Sequence, residues 1–461
     1  MTPGPVTPGE GAASRGRHRS RPGPWGIALR VTGVLALVGL VWGGWSFQRT
    51  WSESDGEPMT VVVATWMRDN NMGPLVAQLE DVYYRYVDTA EVGGTPTLSA
   101  DLSAVDAVGV DDSDVGVDDS DVAAVEAVSG NSVPVLLVPD TRSVTSTTGS
   151  PGTASDGGTV ALTPTWRPHL LPPSPIISPV KQPEPKEGVW QPVASRVDGL
   201  PAVYVTRVRV DDVHTGYYAS VMWIDTLLTS AMLVPGYQEP GGPNPSDGAL
   251  PKEYWPDVLA NFNGAFRLDD SQGGYYYEGT MVRSPVSGKA TAVIYKDGTI
   301  AVGKWGRDLA MSKDVAVVRQ NLDLIVDKGK SKVSNGADNV VWGATTDKES
   351  LAWRAAIGQR SDGSIVYVGS PYLSAQSLAD VLVGAGVQRA MVLDMNDWWT
   401  AGFFFRHKKD GTPLCRKLDP AISEDCDRFL KPYKRDSFQF LARPAPAAPA
   451  TRDQSTSSTS P

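Results

Sequence analysis

Cysteine is nearly absent from this chain: only Cys415 and Cys426 occur, close together and late. Two residues cannot supply a four-ligand zinc site. In an extracytoplasmic setting the pair is expected to form a local disulfide. Histidine is also scarce, with His18, His169, His214 and His407 and no two at ligand spacing, so no metal site is expected. Positive charge is outnumbered. The 42 Lys and Arg face 52 Asp and Glu, for a net charge of −10, which excludes the basic field of a nucleic-acid binder. There is no Gly-x-Ser-x-Gly elbow and no Walker loop, so serine-hydrolase and P-loop templates drop out. No motif names a cofactor. Carboxylates, amides and arginines remain to carry chemistry.

The 461 residues suffice for one large domain or two, and 41% hydrophobic content permits a sizeable core. The order along the chain is uneven. Residues 1–24 hold Arg15, Arg17, Arg19 and Arg21 among Gly and Pro, as a disordered basic tail would. Residues 25–48 are expected to be a transmembrane signal-anchor. Val31 to Gln48 carries no charge, and Trp25, Trp42 and Trp45 lie near the two ends. Arginines before the span and acids after it put the N-terminus in the cytoplasm and the rest outside a plasma membrane crossed once. A cleaved secretory signal is the rival reading. Residues 43–50 offer no small-x-small cleavage site, which favours the anchor.

A juxtamembrane helical segment is expected over 60–87, with Leu75, Leu79, Val82 and Tyr86 at helical spacing after Pro74. Residues 88–187 are an expected linker, acidic and then rich in Ser, Thr and Pro. Within it, Val108 to Asp114 is repeated as Val115 to Asp121. The repeat lacks both the twelve-residue loop ending in Glu and the Gly-rich nonapeptide of calcium sites, so a solvated acidic linker is the reading preferred over calcium. Residues 443–461 are an expected disordered tail. The fold class is then α+β: a single extracytoplasmic mixed-sheet domain over 188–442, behind one transmembrane helix and an acidic, Pro-rich stalk.

Inside the domain, β runs are expected at 202–210 and 217–224, and a helical pattern from Thr226 to Leu233. Lys289 to Tyr295 and Thr299 to Val302 make a hairpin around Asp297-Gly298, while Val315 to Leu324 suits strand or helix. Late strands are expected at Phe403 to Phe405 and Phe438 to Leu441. The most informative stretch is Arg389 to Trp399. A hairpin through Asp362-Gly363 leads to a helix at 377–382, ended by Gly384 and Gly386, and then to a strand running into Asp394.

Three pieces can carry chemistry. Asn263-Gly264-Ala265-Phe266 follows an apolar strand, as a tight turn or as an amide and backbone N–H groups at the rim of a site. Arg354 opens a strand, either paired at the surface or presenting a fork of donors to a phosphate. Asp394-Met395-Asn396-Asp397 either bonds its own backbone or places carboxylates for acid, base or nucleophilic work. If extension continues, Asp394 and Asn396 share a face. Trp398 and Trp399 follow, as core residues or as a stacking platform for a sugar. Glu278 is a distant candidate for a second carboxylate.

These pieces, in this order, resemble the phosphodiester glycosidase family. The family includes an enzyme that removes N-acetylglucosamine from a phosphodiester on mannose, and exopolysaccharide-related bacterial proteins. Its Asn-Gly-Gly-Phe-Phe-like turn reads Asn263-Gly264-Ala265-Phe266-Arg267 here. Its Arg-Thr-Ala-Ile-Gly-like strand reads Arg354-Ala355-Ala356-Ile357-Gly358, with Asp362-Gly363 after it. The helix carries Leu378-Ala379, and the family's Leu-Asp-Gly-Gly-Gly-Ser becomes Leu393-Asp394-Met395-Asn396-Asp397-Trp398. The resemblance spans roughly 255–442. It implies a hydrolase acting on a cell-envelope glycan or sugar phosphodiester, with Asp394 and Asp397 catalytic and Asn263, Gly264, Arg354 and Asn396 binding substrate. The replaced glycine run leaves a second reading open, an envelope protein that binds or helps assemble polysaccharide through the same cleft. A structural ectodomain without a ligand is the third.

Overall fold

The computed structural model describes residues 24–54, 56–86, 90–102, 136–139, 166–242, 246–333, 339–342, 351–395 and 397–444. Residues 1–23 of the expected basic tail (1–24), the acidic repeat at 108–121, Asn396 and residues 445–461 lie outside them. The chain divides into two compact units, Met1–Val76 and Ala77–Pro461.

The first unit holds helices α1 (Pro24–Ser52) and α2 (Met59–Asp69). They meet where Phe47 packs edge-on against Trp66 with ring centroids 5.7 Å apart, and where Trp66 Nε1 donates to Ser46 Oγ at 3.2 Å. The expected anchor falls within α1. Among the described residues no helix is long and apolar enough to cross a membrane. The side chains of residues 25–31 and 33–36, inside the expected span, lie outside those residues. Helix α3 (Gly73–Tyr86) follows, so the 60–87 segment is helical on both sides of a break at 70–72.

The second unit is built on three antiparallel sheets. The largest runs β14 (Lys330–Ser331), β13 (Leu324–Asp327), β17 (Val387–Val392), β15 (Ala352–Arg360), β16 (Ile365–Leu373), β5 (Tyr218–Ile224), β4 (Val203–Arg209) and β3 (Gln191–Pro192). A five-stranded sheet runs β19 (Pro413–Lys417), β18 (Gly402–His407), β7 (Val258–Asn263), β20 (Ser437–Ala442) and β6 (Thr229–Val234). Another runs β11 (Ile300–Lys304), β10 (Ala290–Tyr295), β12 (Val315–Gln320), β8 (Tyr275–Tyr277) and β9 (Thr280–Arg283). A short pair joins β1 (Leu136–Pro139) to β2 (Trp166–His169). Every ladder between these strands is antiparallel, which corrects the mixed sheet expected from the sequence.

Strand β16 shows how the layers form. Ile365 and Tyr367 face a core shared with Phe262, Phe404, Phe438 and Phe440. Val366 and Val368, on the opposite face, pack with Leu378 and Leu382 of helix α5 (Ala375–Gly384). This is the period-two alternation of a sheet covered on both sides. Each buried Phe contributes about 1.5–3 kcal/mol. Helix α5 starts at a capping box, in which Ser374 Oγ accepts from Ser377 N and Ser377 Oγ accepts from Ser374 N, both at 2.9 Å. Gly386, at φ +79°, turns the chain into β17.

Three other expectations are revised. The 226–233 helical pattern is strand β6, entered through a turn in which Asp225 Oδ1 accepts from Leu227 N at 2.7 Å. Its apolar residues satisfy a strand because β20 lies beside it in register, Ala231 opposite Phe440. The ambiguous 315–324 run resolves into β12 and the start of β13, parted at Asn321, whose Nδ2 donates to Val392 O at 2.7 Å. Parts of the expected 88–187 linker also pack on the sheets. Leu170 N donates to Asp225 Oδ2 at 2.7 Å, and Ile176 is buried in the α5 cluster. Gln191 bonds the backbone of Ala100 and Leu102 at 2.9 Å each. Cys415 and Cys426 form a disulfide that ties β19 to the loop after it.

Candidate active site

Asp394 follows β17 by two residues and is buried. Its position is fixed through its backbone. Asp394 N donates to Gly264 O at 3.0 Å, and Asp394 O accepts from Asn263 Nδ2 at 3.0 Å and Thr400 Oγ1 at 3.4 Å. One residue earlier, Leu393 N donates to Ala355 O at 2.8 Å. The carboxylate accepts from Met395 N through Oδ1, at 3.0 Å, and from Arg435 Nη2 through Oδ2. Arg435 in turn lies 4.6 Å over the ring of the buried Trp399. The stacked ring and the carboxylate together hold the guanidinium in one place.

Asn263 ends β7 and is also buried. Its Nδ2 donates to Asp394 O and to Gly264 O at 3.1 Å. Its Oδ1 accepts from Tyr367 OH at 2.8 Å and Ala401 N at 3.2 Å. An amide has two donors and two acceptor lone pairs, so its capacity is filled within the protein. Asn263 therefore positions Asp394, and its amide has no hydrogen bond left for a sugar. Gly264 is equally committed. Its N–H donates to Asp436 O at 2.8 Å, and a Cβ on it would lie 2.3 Å from the Asp436 carboxyl carbon. Glycine is needed there for close packing, and its N–H is not offered to a ligand.

Arg354 is buried on β15. Its Nε donates to Leu373 O at 2.9 Å and its Nη1 to Trp342 O at 3.2 Å, with Met395 Sδ 3.7 Å from the same nitrogen. Met395 thus sits between Arg354 and Asp394, where the family's pattern has glycine. Asp397 is exposed, and Ser423 Oγ donates to its backbone carbonyl at 3.2 Å. Asn396 lies outside the described residues. Glu278 is exposed in the turn between β8 and β9, at φ +43°. The structure therefore brings Asn263, Gly264, Arg354 and Asp394 together, and leaves Asp397 and Glu278 at the surface.

Several neighbours were missed by sequence reasoning. Arg319 on β12 is fully buried, donates to Asp436 Oδ2 at 2.7 Å through Nε, and donates to Ala265 O and Phe266 O through Nη2. The Asp436 carboxylate raises the pKa of Arg319 against the opposing effect of burial, so the guanidinium stays charged. Glu239 is half-buried and its pKa is raised by burial, although Arg435, Arg319 and Arg267 favour its ionised form. Tyr367, fully buried, is held protonated by burial and stacks on Phe262 with centroids 4.3 Å apart. The available signal was Lys434-Arg435-Asp436, three charges immediately before a strand that reads as core. An open groove of about 810 Å³ elsewhere, lined in part by Val210, His214, Gln376 and Asp380, contains none of these site residues.

Residues 257–394 match the model of the phosphodiester glycosidase family. The matched segment begins just before β7 and ends on Asp394, so Asn263, Gly264, Arg354 and Asp394 all fall inside it. The chain accordingly carries a phosphodiester-glycosidase-like domain. Among solved structures, the chain is similar to the catalytic domain of zebrafish N-acetylglucosamine-1-phosphodiester alpha-N-acetylglucosaminidase auto-inhibited by its pro-peptide. Identity is 14%, with 52% of this chain and 82% of that one covered and a TM-score of 0.34. A hypothetical protein from Synechocystis is 10% identical over 55% of this chain and 64% of that one, with a TM-score of 0.33. An exported protein from Burkholderia pseudomallei is 12% identical over 49% and 74%, with a TM-score of 0.26. No curated protein matches the sequence.

Proposed function

We propose that this protein is a membrane-anchored, extracytoplasmic hydrolase that cleaves a glycosyl phosphodiester or related glycosidic bond in a cell-envelope glycan. The observation that carries the reading is the clustering of the family-matched residues on one buried carboxylate, Asp394, with Arg354 and Arg435 beside it. Asp394 serves as acid/base or nucleophile. Arg435 orients it, and the two arginines supply the positive field for the phosphate. Asn263 and Gly264 hold the Asp394 backbone. Asp397, exposed three residues after Asp394, is the second candidate catalytic carboxylate, and Asn396 is a candidate substrate contact. The uncharged run from Val31 to Gln48, with arginines before it and acids after it, supports a single-pass anchor in the plasma membrane with a cytoplasmic N-terminus. The Cys415–Cys426 disulfide fits an oxidising compartment.

A second reading has its own observation. Met395 fills the space beside Arg354 that the family's glycine leaves open. A site so filled suits glycan binding without turnover.

The test is hydrolysis of synthetic sugar phosphodiesters by the full-length protein, beside Asp394→Ala and Arg354→Ala. Turnover in the wild type and its loss in both variants is expected. Retained glycan binding without turnover selects the second reading, and equal activity in both variants sinks the site assignment.

A further inference from the structure

We propose that Glu239 is the second carboxyl group of the Asp394 site and gives its proton to the leaving phosphate oxygen. The inference rests on the hydrolase reading above and adds a residue outside the family-matched segment.

The geometry comes from two adjoining stretches of chain. Residues 236–239 lie along 433–434: Tyr237 N donates to Tyr433 O at 3.1 Å, and Gln238 N and Glu239 N donate to Lys434 O at 3.2 and 2.9 Å. Gly236 closes the loop by donating to Glu239 O at 3.0 Å. Gly236 is pressed against the same backbone, since a Cβ there would lie 2.3 Å from the Lys434 carbonyl carbon. The next residue along is Arg435, which holds Asp394. The Glu239 backbone is thus fixed one residue from Arg435, and Arg435 is the charge that acts most strongly on its carboxyl group. Among the described residues no hydrogen bond reaches its carboxyl group.

Charge explains why this group can be neutral. The groups acting on Glu239 are Arg435, Arg319 and Arg267, opposed by Asp436. Each arginine already has its own carboxylate: Asp394 for Arg435, Asp436 for Arg319 and Asp270 for Arg267. Burial then outweighs what attraction remains and favours the protonated acid. A neutral Glu239 adds no charge to repel a phosphodiester, whereas an ionised one would. A carboxyl group kept protonated by burial beside a second carboxylate held by an arginine is the usual basis for an acid–base division of labour.

In the step proposed, the bond between the anomeric carbon and the phosphate oxygen breaks, and its electron pair stays with that oxygen. The oxygen takes the Glu239 proton. Water adds to the anomeric carbon and passes its proton to Asp394, and solvent restores both carboxyl groups.

The experiment uses the full-length protein and Glu239→Gln, with two readouts. For a sugar alkyl phosphodiester, wild-type kcat/KM should fall as pH rises through the Glu239 pKa. Glu239→Gln should lose at least about 100-fold and lack that alkaline limb. Rates within threefold of wild type, or an unchanged alkaline limb, overturn the proposal. The second readout needs no turnover: calorimetric binding of inorganic sulfate, whose charge is constant across the range. Wild-type affinity should weaken as Glu239 ionises, and Glu239→Gln should be flat. The same pH dependence in both proteins overturns the placement of Glu239 at the anion site. If the wild type cleaves no phosphodiester, the hydrolase reading fails and the proton-transfer step with it, while the sulfate titration still decides the placement.

Discussion

Replacing Asn263 by Ala should damage the fold before it touches any ligand. The side chain makes four hydrogen bonds, and the consequences of losing them differ. Gly264 O keeps the bond from Asp394 N, and Asp394 O keeps the one from Thr400 Oγ1. Tyr367 OH can fall back on Ala401 O, already 3.2 Å away. Ala401 N has no such alternative and is left buried without an acceptor. One orphaned donor costs about 1–3 kcal/mol and each lost neutral bond about 1 kcal/mol, so a total of about 3–5 kcal/mol is expected. For a domain of this size that lowers Tm by roughly 10 °C. The assay is urea and thermal unfolding of the full-length protein, followed by tryptophan fluorescence. A cost under about 1 kcal/mol, with ligand binding lost, would refute the reasoning, because the amide would then be serving a ligand.

Gly264→Ala should destabilise by about 1–3 kcal/mol or fail to fold, because the added Cβ collides with Asp436, and unfolding midpoints will show it. Asp436→Asn leaves the fully buried Arg319 without its counter-ion and should cost about 3–5 kcal/mol in the same assay. His407 is held neutral by burial, with its ring nitrogens on Ser195 Oγ and Trp255 O. Its lowered pKa gives stability that is present above about pH 6.5 and is lost as pH falls through the folded-state pKa. The urea midpoint should therefore drop on acidification, and His407→Gln should blunt that drop.

The residues that sequence motifs placed at the site are those whose neighbours are set by local chain direction. Asn263 ends a strand, Arg354 opens one, and Asp394 follows one, so turn and strand signals mark each. Glu239 and Arg319 carry no such mark, and Arg435 and Asp436 show only as charges ahead of a strand. Their meeting depends on β20 pairing with β7, Ser437 opposite Asn263, across a large sequence separation. A single strand pattern cannot reveal that register. The 226–233 error has the same root: its apolar spacing suits both helix and strand, and β20 decides between them. Fold class was legible because alternation and turns are local properties. Sheet polarity was not, because it depends on which strands become neighbours.

The backbone anchoring of Asp394 has a consequence for variation in this site. Its nitrogen is held by Gly264 and its oxygen by Asn263 and Thr400, so the chain is clamped on both sides of the reactive group. Met395 and residues 397–399 lie between Asp394 and Thr400, as an insert lies in a socket. Such an insert can exchange glycines for Met395 or Trp398 without moving the Asp394 backbone, because the clamps on its nitrogen and oxygen use no insert side chain, whereas Trp399 is tied to the Arg435 it stacks on. The socket sets where the chemistry sits, and the insert is free to change what that carboxylate meets.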